Sequence, residues 1–301
     1  MLFVLLLLAA DPQALLQQGL IALQHGQLAE ARSTLEEASR VDAANPYVWT
    51  SLAQTYLRLG DSQKAESSAV KAGKLGAANP VVAHALSLFY FEYAQQLFRK
   101  EDFTHAADIL STGLQADPRN AQLVLALGVA RYGQRRFEDA IAQFLQVIGI
   151  DPTIEQPYVF LGRVLDQAGP HLPEITKDYE SWTEKNPQNA KAPLLLAKAL
   201  LAADAHDPTA EDLLRRSMTL DPNNWEPHYE LGVLLAGKRE YRAAAEELTR
   251  SIELDPKQAV THYHLARVYD RLGEPERAKA EREIHGRLTG TATAPAPPAH
   301  N

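Results

Sequence analysis

A proline-containing turn that recurs every 34 or 35 residues is the feature of this sequence that most constrains its fold. From residue 117 onward, pairs of Asp or Asn followed by Pro recur at steps of 34, 35, 35 and 34 residues: Asp117-Pro118, Asp151-Pro152, Asn186-Pro187, Asp221-Pro222 and Asp255-Pro256. Earlier in the chain, Asn45-Pro46 and Asn79-Pro80 are 34 residues apart. Because proline disfavours helical backbone in the residue before it, each pair predicts a break between helices. A period of this length indicates one supersecondary unit repeated along the chain.

Residues 121–154 show what this unit is. Two runs of apolar residues follow each other at spacings of three and four, which places each run on one face of a helix. The first run is Leu123, Val124, Leu127 and Val129; the second is Phe137, Ala140, Ile141, Phe144, Leu145 and Ile148. Gly133 lies between the runs, and we expect it to end the first helix by taking the left-handed conformation. A hairpin of this kind has two apolar faces, so it must stack on neighbours of its own type.

The recurring residues resemble the tetratricopeptide repeat (TPR), in which Trp, Leu-Gly, Tyr, Ala, an aromatic residue or leucine, and Pro recur at fixed places. Matching residues are Trp49, Leu52, Ala53, Tyr56, Leu127, Gly128, Ala140, Phe144 and Pro152. Eight units follow: 12–45, 46–79, 80–120, 121–154, 155–189, 190–224, 225–258 and 259–289. The resemblance implies an all-α fold, a right-handed α-solenoid of about eight TPR-like helix-turn-helix repeats, with the first helix of each repeat lining the concave side.

The two ends of the chain differ from the repeats. Residues 2–10 are continuously apolar, LFVLLLLAA. They are too short to span a bilayer, which takes roughly 20 residues, but they have the length of the apolar part of a secretory signal. We therefore interpret 1–11 as a signal peptide or as an N-terminal apolar segment packed on the first repeat. The first reading predicts an exported, periplasmic protein, and the alternative is a cytoplasmic one. Residues 290–301 are rich in Ala, Pro and Thr and predict a disordered tail.

Composition argues against several classes of function. The formal net charge of −8 argues against a nucleic-acid partner, because such proteins carry a basic face. The chain has no cysteine, so it has no thiolate metal site and no cysteine nucleophile. His262 and His264 are two residues apart, and on a helix they face different directions; we expect His228 and His262 to pack rather than bind metal. Since no nucleophile elbow or glycine-rich phosphate loop occurs either, the sequence predicts no catalytic residue, no metal, no cofactor and no small-molecule substrate.

The resemblance implies a protein-interaction scaffold whose concave groove binds an extended peptide or a partner's helix. The expected partner is another protein or peptide, with no nucleic acid and no integral membrane span. Carrying the family's groove-facing places onto this chain gives an apolar set, Leu88, Phe91, Leu125, Val129 and Tyr132, and a basic set, Arg163, Lys198, Arg267 and Arg271. Two alternatives remain open. Leu88 and Leu125 can simply pack on neighbouring helices, and the protein can be a structural assembly subunit that associates through convex or end surfaces.

Overall fold

The computed structural model describes residues 11–76 and 78–290, and the predicted apolar segment 1–10 and most of the predicted tail lie outside these residues. Every regular element within the described residues is helical, comprising sixteen α-helices and two short 3₁₀ turns. The prediction of an all-α fold built from helix-turn-helix repeats is confirmed. The chain divides into an N-terminal unit that ends at Asp151 and a C-terminal unit that starts at Pro152.

The N-terminal unit contains four helical hairpins. Its helices are α1 (Pro12–Gln24), α2 (Leu28–Val41), α3 (Pro46–Leu59), α4 (Ser62–Gly76), α5 (Pro80–Arg99), α6 (Phe103–Ala116), α7 (Ala121–Gly133) and α8 (Phe137–Ile150). The asparagines of the recurring turns begin the helices, because their side-chain oxygens accept hydrogen bonds from amides of the first turn. Asn45 accepts one from the Tyr47 amide at 3.1 Å, and Asn79 accepts one from the Val81 amide at 2.9 Å.

The first helices of the N-terminal unit form one layer. Helix α1 contacts α3, α3 contacts α5, and α5 contacts α7, whereas successive second helices contact each other less. Direct contact between equivalent helices of neighbouring repeats is therefore made mainly by the first helices. Leu127 and Ala140 are both buried where α7 crosses α8, as the period of the apolar residues predicts.

The C-terminal unit also contains four repeats, and its first repeat is irregular. Its helices are α9 (Gln156–Gly162), α10 (Leu172–Lys185), α11 (Lys191–Ala203), α12 (Ala210–Leu220), α13 (Trp225–Gly237), α14 (Tyr241–Leu254), α15 (Ala259–Leu272) and α16 (Pro275–Thr289). The two 3₁₀ turns, Leu165–Gln167 and Gly169–His171, connect α9 to α10.

Two prolines in the connecting loop, Pro170 and Pro173, predict from the sequence that the second helix of the 155–189 repeat is short. This prediction is wrong. Helix α10 has 14 residues, whereas α9 has only 7. Pro173 lies in the first turn of α10, where its missing amide leaves no hydrogen bond unmade, so it starts the helix instead of shortening it. The repeat keeps its core, because the Tyr158 ring stacks on Trp182 at 4.5 Å and the buried Tyr179 hydroxyl donates to the Tyr158 carbonyl at 2.7 Å.

The expectation that Gly133 ends α7 in the left-handed conformation is also wrong. The residue with positive φ in this turn is Arg135, at 61°. Gly133 is the last helical residue, and a β-carbon built on it would lie 2.5 Å from Cγ of Phe103. The glycine is therefore required by close packing against α6, and not by its backbone angles.

Candidate functional site

The five apolar residues predicted for the groove lie on neighbouring first helices of the N-terminal unit. Leu88 and Phe91 are on α5, while Leu125, Val129 and Tyr132 are on α7, and these two helices contact each other. We call these five residues the apolar strip. Leu88 is 48% exposed, and the other four are half-buried. Leu88 is therefore not covered by a neighbouring helix, whereas Leu125 is partly covered.

Two members of the apolar strip also support the fold. Phe91 packs partly against the buried core of the N-terminal unit. The Tyr132 ring makes an edge-to-face contact with the Phe137 ring at a centroid distance of 5.7 Å. Truncating Phe91 or Tyr132 will therefore affect stability, whereas Leu88 is exposed and can be changed with less effect on the core.

Two further exposed apolar residues lie outside the apolar strip. Val81 is 60% exposed near the start of α5, and Tyr47 is exposed near the start of α3. Both occupy the second place of a first helix, which is itself a groove-facing place in the family. The Tyr47 hydroxyl accepts a hydrogen bond from the Asn79 side chain at 2.8 Å, so this ring is held in place between two repeats.

Three of the four predicted basic residues are exposed arginines of the C-terminal unit. The Arg163 guanidinium lies 5.4 Å from the Phe160 ring centroid, and that of Arg267 lies 5.7 Å from the Tyr263 ring centroid. Arg271 is one helical turn beyond Arg267 on α15. Among the described residues, no carboxylate lies within ion-pair distance of any of these three guanidinium groups.

Lys198, the fourth predicted basic residue, does not have a free charge. Its ammonium forms an ion pair with Glu226 and lies 3.6 Å from a carboxylate oxygen of Glu230, both on the next first helix, α13. Burial by itself lowers the pKa of Lys198, but the carboxylates of Glu230 and Glu226 raise it by more, so the pKa lies above its usual value. Burial raises the pKa of Glu230 above its usual value. The prediction that Lys198 offers a free cation to a partner is therefore corrected.

The histidines of the last two repeats occupy equivalent buried positions. Nδ1 of His228 lies 2.7 Å from the Glu247 carboxylate, and Nδ1 of His262 lies 2.6 Å from the Glu281 carboxylate. In each case the histidine is on the first helix and the glutamate on the second helix of the same repeat. Each pair is a polar contact that joins the two helices of one repeat.

These elements define an all-α protein of stacked helix-turn-helix repeats, the α-solenoid class. No helix among the described residues combines the length and the apolar character needed to cross a membrane. A tetratricopeptide repeat family model matches residues 16–86 and 91–153, and a second model of the same family matches 247–280. The matches together cover more than half of the chain. The chain therefore belongs to the tetratricopeptide repeat family, and in general terms it is a protein-interaction scaffold.

Solved structures with similar folds have low sequence identity to this chain. A human IFIT1 mutant in complex with m7Gppp-AAAA is 17% identical, covers 95% of this chain and 70% of its own, and has a TM-score of 0.50. The TPR protein TTC0263 of Thermus thermophilus is 18% identical, covers 57% of this chain and 98% of its own, and has a TM-score of 0.47. YrrB, described as a TPR protein with an unusual peptide-binding site, is 16% identical, covers 68% of this chain and 87% of its own, and has a TM-score of 0.40. At these identities the likeness concerns the fold alone. No curated protein sequence matches the chain.

Proposed function

We propose that the layer of first helices in the N-terminal unit binds a segment of another protein, either an extended peptide or a helix, and that the apolar strip is its anchoring surface. The observation that carries this proposal is the 48% exposure of Leu88 in a row of apolar residues on two touching first helices. Interface anchors of this kind typically account for ~2 kcal/mol or more of binding free energy when truncated. Val81 and Tyr47 extend the same surface toward the starts of α5 and α3.

Acidic residues of a partner are the natural complement of the C-terminal unit. Arg267 and Arg271 are exposed on the first helix α15, and Arg163 is exposed directly after the end of α9. None of the three has a carboxylate partner among the described residues. Exposed charges of this kind mainly change the association rate and its salt dependence. In this proposal the apolar strip of the N-terminal unit supplies affinity for an apolar segment, and the arginines of the C-terminal unit supply selectivity for acidic ones.

A second candidate function is assembly through the outer surface. Val70 on the second helix α4 is 41% exposed, close to the exposure of Leu88. This residue lines a depression between α4 and α6 whose floor contains Leu86 and Tyr90. An assembly subunit would use such second-helix residues and would not need the apolar strip.

Matched charge substitutions distinguish the two candidates. Leu88→Asp places a carboxylate on the first-helix surface, and Val70→Asp places one on the second-helix surface at a similarly exposed site. We expect Leu88→Asp to lose the partners that the parent protein captures from its native cells, and Val70→Asp to keep them, with unchanged melting in both. If Val70→Asp loses the captured partners and Leu88→Asp keeps them, the groove is rejected in favour of outer-surface assembly.

A further inference from the structure

A small pocket in the C-terminal unit brings together two arginines and an apolar wall. Arg267 and Arg271 project from α15, and Val233 of α13 and Val268 of α15 form the apolar part. His264 and the phenol of Tyr241 complete the lining. The pocket volume is about 240 Å³, which is below the roughly 300–1,000 Å³ of typical small-molecule sites. Its size suits one or two side chains better than a whole metabolite.

The two arginines carry charge that the fold itself does not use. They are four residues apart on one helix face, an arrangement of like charges that destabilises an isolated helix slightly. The acidic residues near them in the sequence form ion pairs with other arginines: Asp270 pairs with Arg282 at 2.7 Å, and Glu274 pairs with Arg277 at 2.7 Å. Within the described part of the chain, no carboxylate pairs with Arg267 or Arg271.

His264 contributes a neutral ring to this pocket. It lies between the rings of Tyr229 and Tyr263, at centroid distances of 5.5 and 5.3 Å. Burial, and secondarily the charge of Arg267, lowers the pKa of His264, so the imidazole is uncharged at neutral pH. The cationic charge of the pocket therefore comes from the two guanidinium groups, which suit a single carboxylate held by charge-assisted hydrogen bonds.

We propose that this pocket binds an acidic side chain of a partner protein together with an apolar side chain next to it, the carboxylate between Arg267 and Arg271 and the apolar group against Val233 and Val268. This inference rests on the proposed function, because it names the chemistry of the protein segment that the first helices of the C-terminal unit bind. Lys198 is outside the site, since its charge is already neutralised by Glu226 and Glu230.

Short blocked peptides test the pocket without knowledge of the partner. The probe is acetyl-Leu-Glu-amide, titrated into the ¹⁵N-labelled full chain while the side-chain Nε signals of Arg267 and Arg271 are followed by NMR. We expect both signals to shift, and we expect roughly tenfold weaker binding for acetyl-Leu-Gln-amide and for acetyl-Gly-Glu-amide, because each lacks one of the two contacts. Equal binding of the Gln peptide, or shifts confined to other residues, would overturn the proposal.

Variants of the chain separate this pocket from the groove. Arg271→Gln should weaken probe binding roughly tenfold, whereas Arg242→Gln, at an exposed arginine of α14, should leave it unchanged. Both variants should melt like the parent, because glutamine is a good helix former. A phosphoserine probe that binds more tightly than the glutamate probe would overturn the assignment to a carboxylate. If Arg271→Gln binds the probe normally while Leu88→Asp still loses the partner, the pocket is rejected and the proposed function stands.

Discussion

Gly128 of α7 lies so close to the ring of Phe144 of α8 that a β-carbon built on it would fall 2.7 Å from Cε1 of that ring. Phe144 is fully buried, and Cβ of Gln143 is 3.2 Å from the same point. The two helices of this repeat can therefore cross at their observed spacing only with glycine at this place. The Leu-Gly pair of the repeat is thus a packing requirement within one hairpin.

Gly128→Ala is expected to destabilise the protein. The new methyl group forces the Phe144 ring or the α7 backbone to move, and overpacking of this kind typically costs ~1–3 kcal/mol. Gly149 on α8 is the matched control, because a β-carbon there meets nothing within 4 Å. Denaturant unfolding should show a lower free energy of unfolding for Gly128→Ala and no decrease for Gly149→Ala. Equal stabilities of the two variants would contradict the close contact between Gly128 and Phe144.

Leu127→Ala tests the same helix crossing by removing buried volume instead of adding it. Leu127 is 8% exposed between α7 and α8, and removing a buried leucine side chain typically costs ~2–5 kcal/mol through lost burial and the cavity left behind. Thermal melting should fall accordingly. A variant that melts at the temperature of the parent would show that Leu127 is not a core position.

Lys198→Met should destabilise the C-terminal unit in a pH-dependent way. It leaves Glu226 and Glu230 without their shared cation, at a cost of roughly 1–3 kcal/mol at pH 7, less than for a fully buried pair because the Lys198 side chain is 20% exposed. Burial already raises the pKa of Glu230 above 4.5, and the loss of the ammonium raises it further. The native state of the variant then binds more protons than its unfolded state. The loss of unfolding free energy relative to the parent should therefore become smaller as the pH falls from 7 toward 4.5.

Lys191→Met is the control for this experiment. Lys191 pairs with Glu155 at 2.6 Å, but both side chains are largely exposed, and exposed pairs are typically worth less than ~1 kcal/mol. A deficit for Lys198→Met that is as small as that for Lys191→Met, or one that grows as the pH falls, would contradict the described role of the Lys198 cluster.

Arg163→Ala should weaken partner capture mainly at low ionic strength. The Arg163 guanidinium is exposed, and interactions between exposed charges are screened beyond roughly 10 Å at 0.1 M salt. The association rate of the captured partner, measured at low and high salt, should drop at low salt only. Arg242→Ala should change neither rate, and an equal loss for both variants would indicate a nonspecific charge effect.

The repeat architecture was predictable because its signals are local. Asn45, Asn79 and Asn120 start helices through hydrogen bonds to amides two or three residues away, and the apolar spacing within each helix fixes the buried face. The role of Gly133 was not predictable in this way, because it depends on Phe103 in the preceding helix. The short α9 was not predicted, because the prolines of the loop between α9 and α10 indicate a helix break without showing which of the two helices is shortened.

The candidate site was less predictable, because its chemistry depends on contacts between repeats. Transfer of the family's groove-facing places selected Leu88, Arg267 and Arg271, which are exposed on first helices, and Arg163, which is exposed directly after α9. It could not show that Lys198 is neutralised, since Glu226 and Glu230 lie 28 or more residues further along the chain. It also missed the pocket residues Tyr241 and His264, which come from the start of a second helix and from a half-buried place on a first helix.

The central claim, that the apolar strip of the N-terminal unit holds a partner segment, is tested most directly by site-specific photocrosslinking. A benzophenone amino acid is placed at position 88 or, as the control, at position 70, and the protein is irradiated in the cells that normally make it. We expect mass spectrometry to find one recurrent partner segment attached at position 88, carrying apolar residues at the attachment point, and none at position 70. Recurrent attachment at position 70 with none at position 88 would show that the apolar strip is not the binding surface.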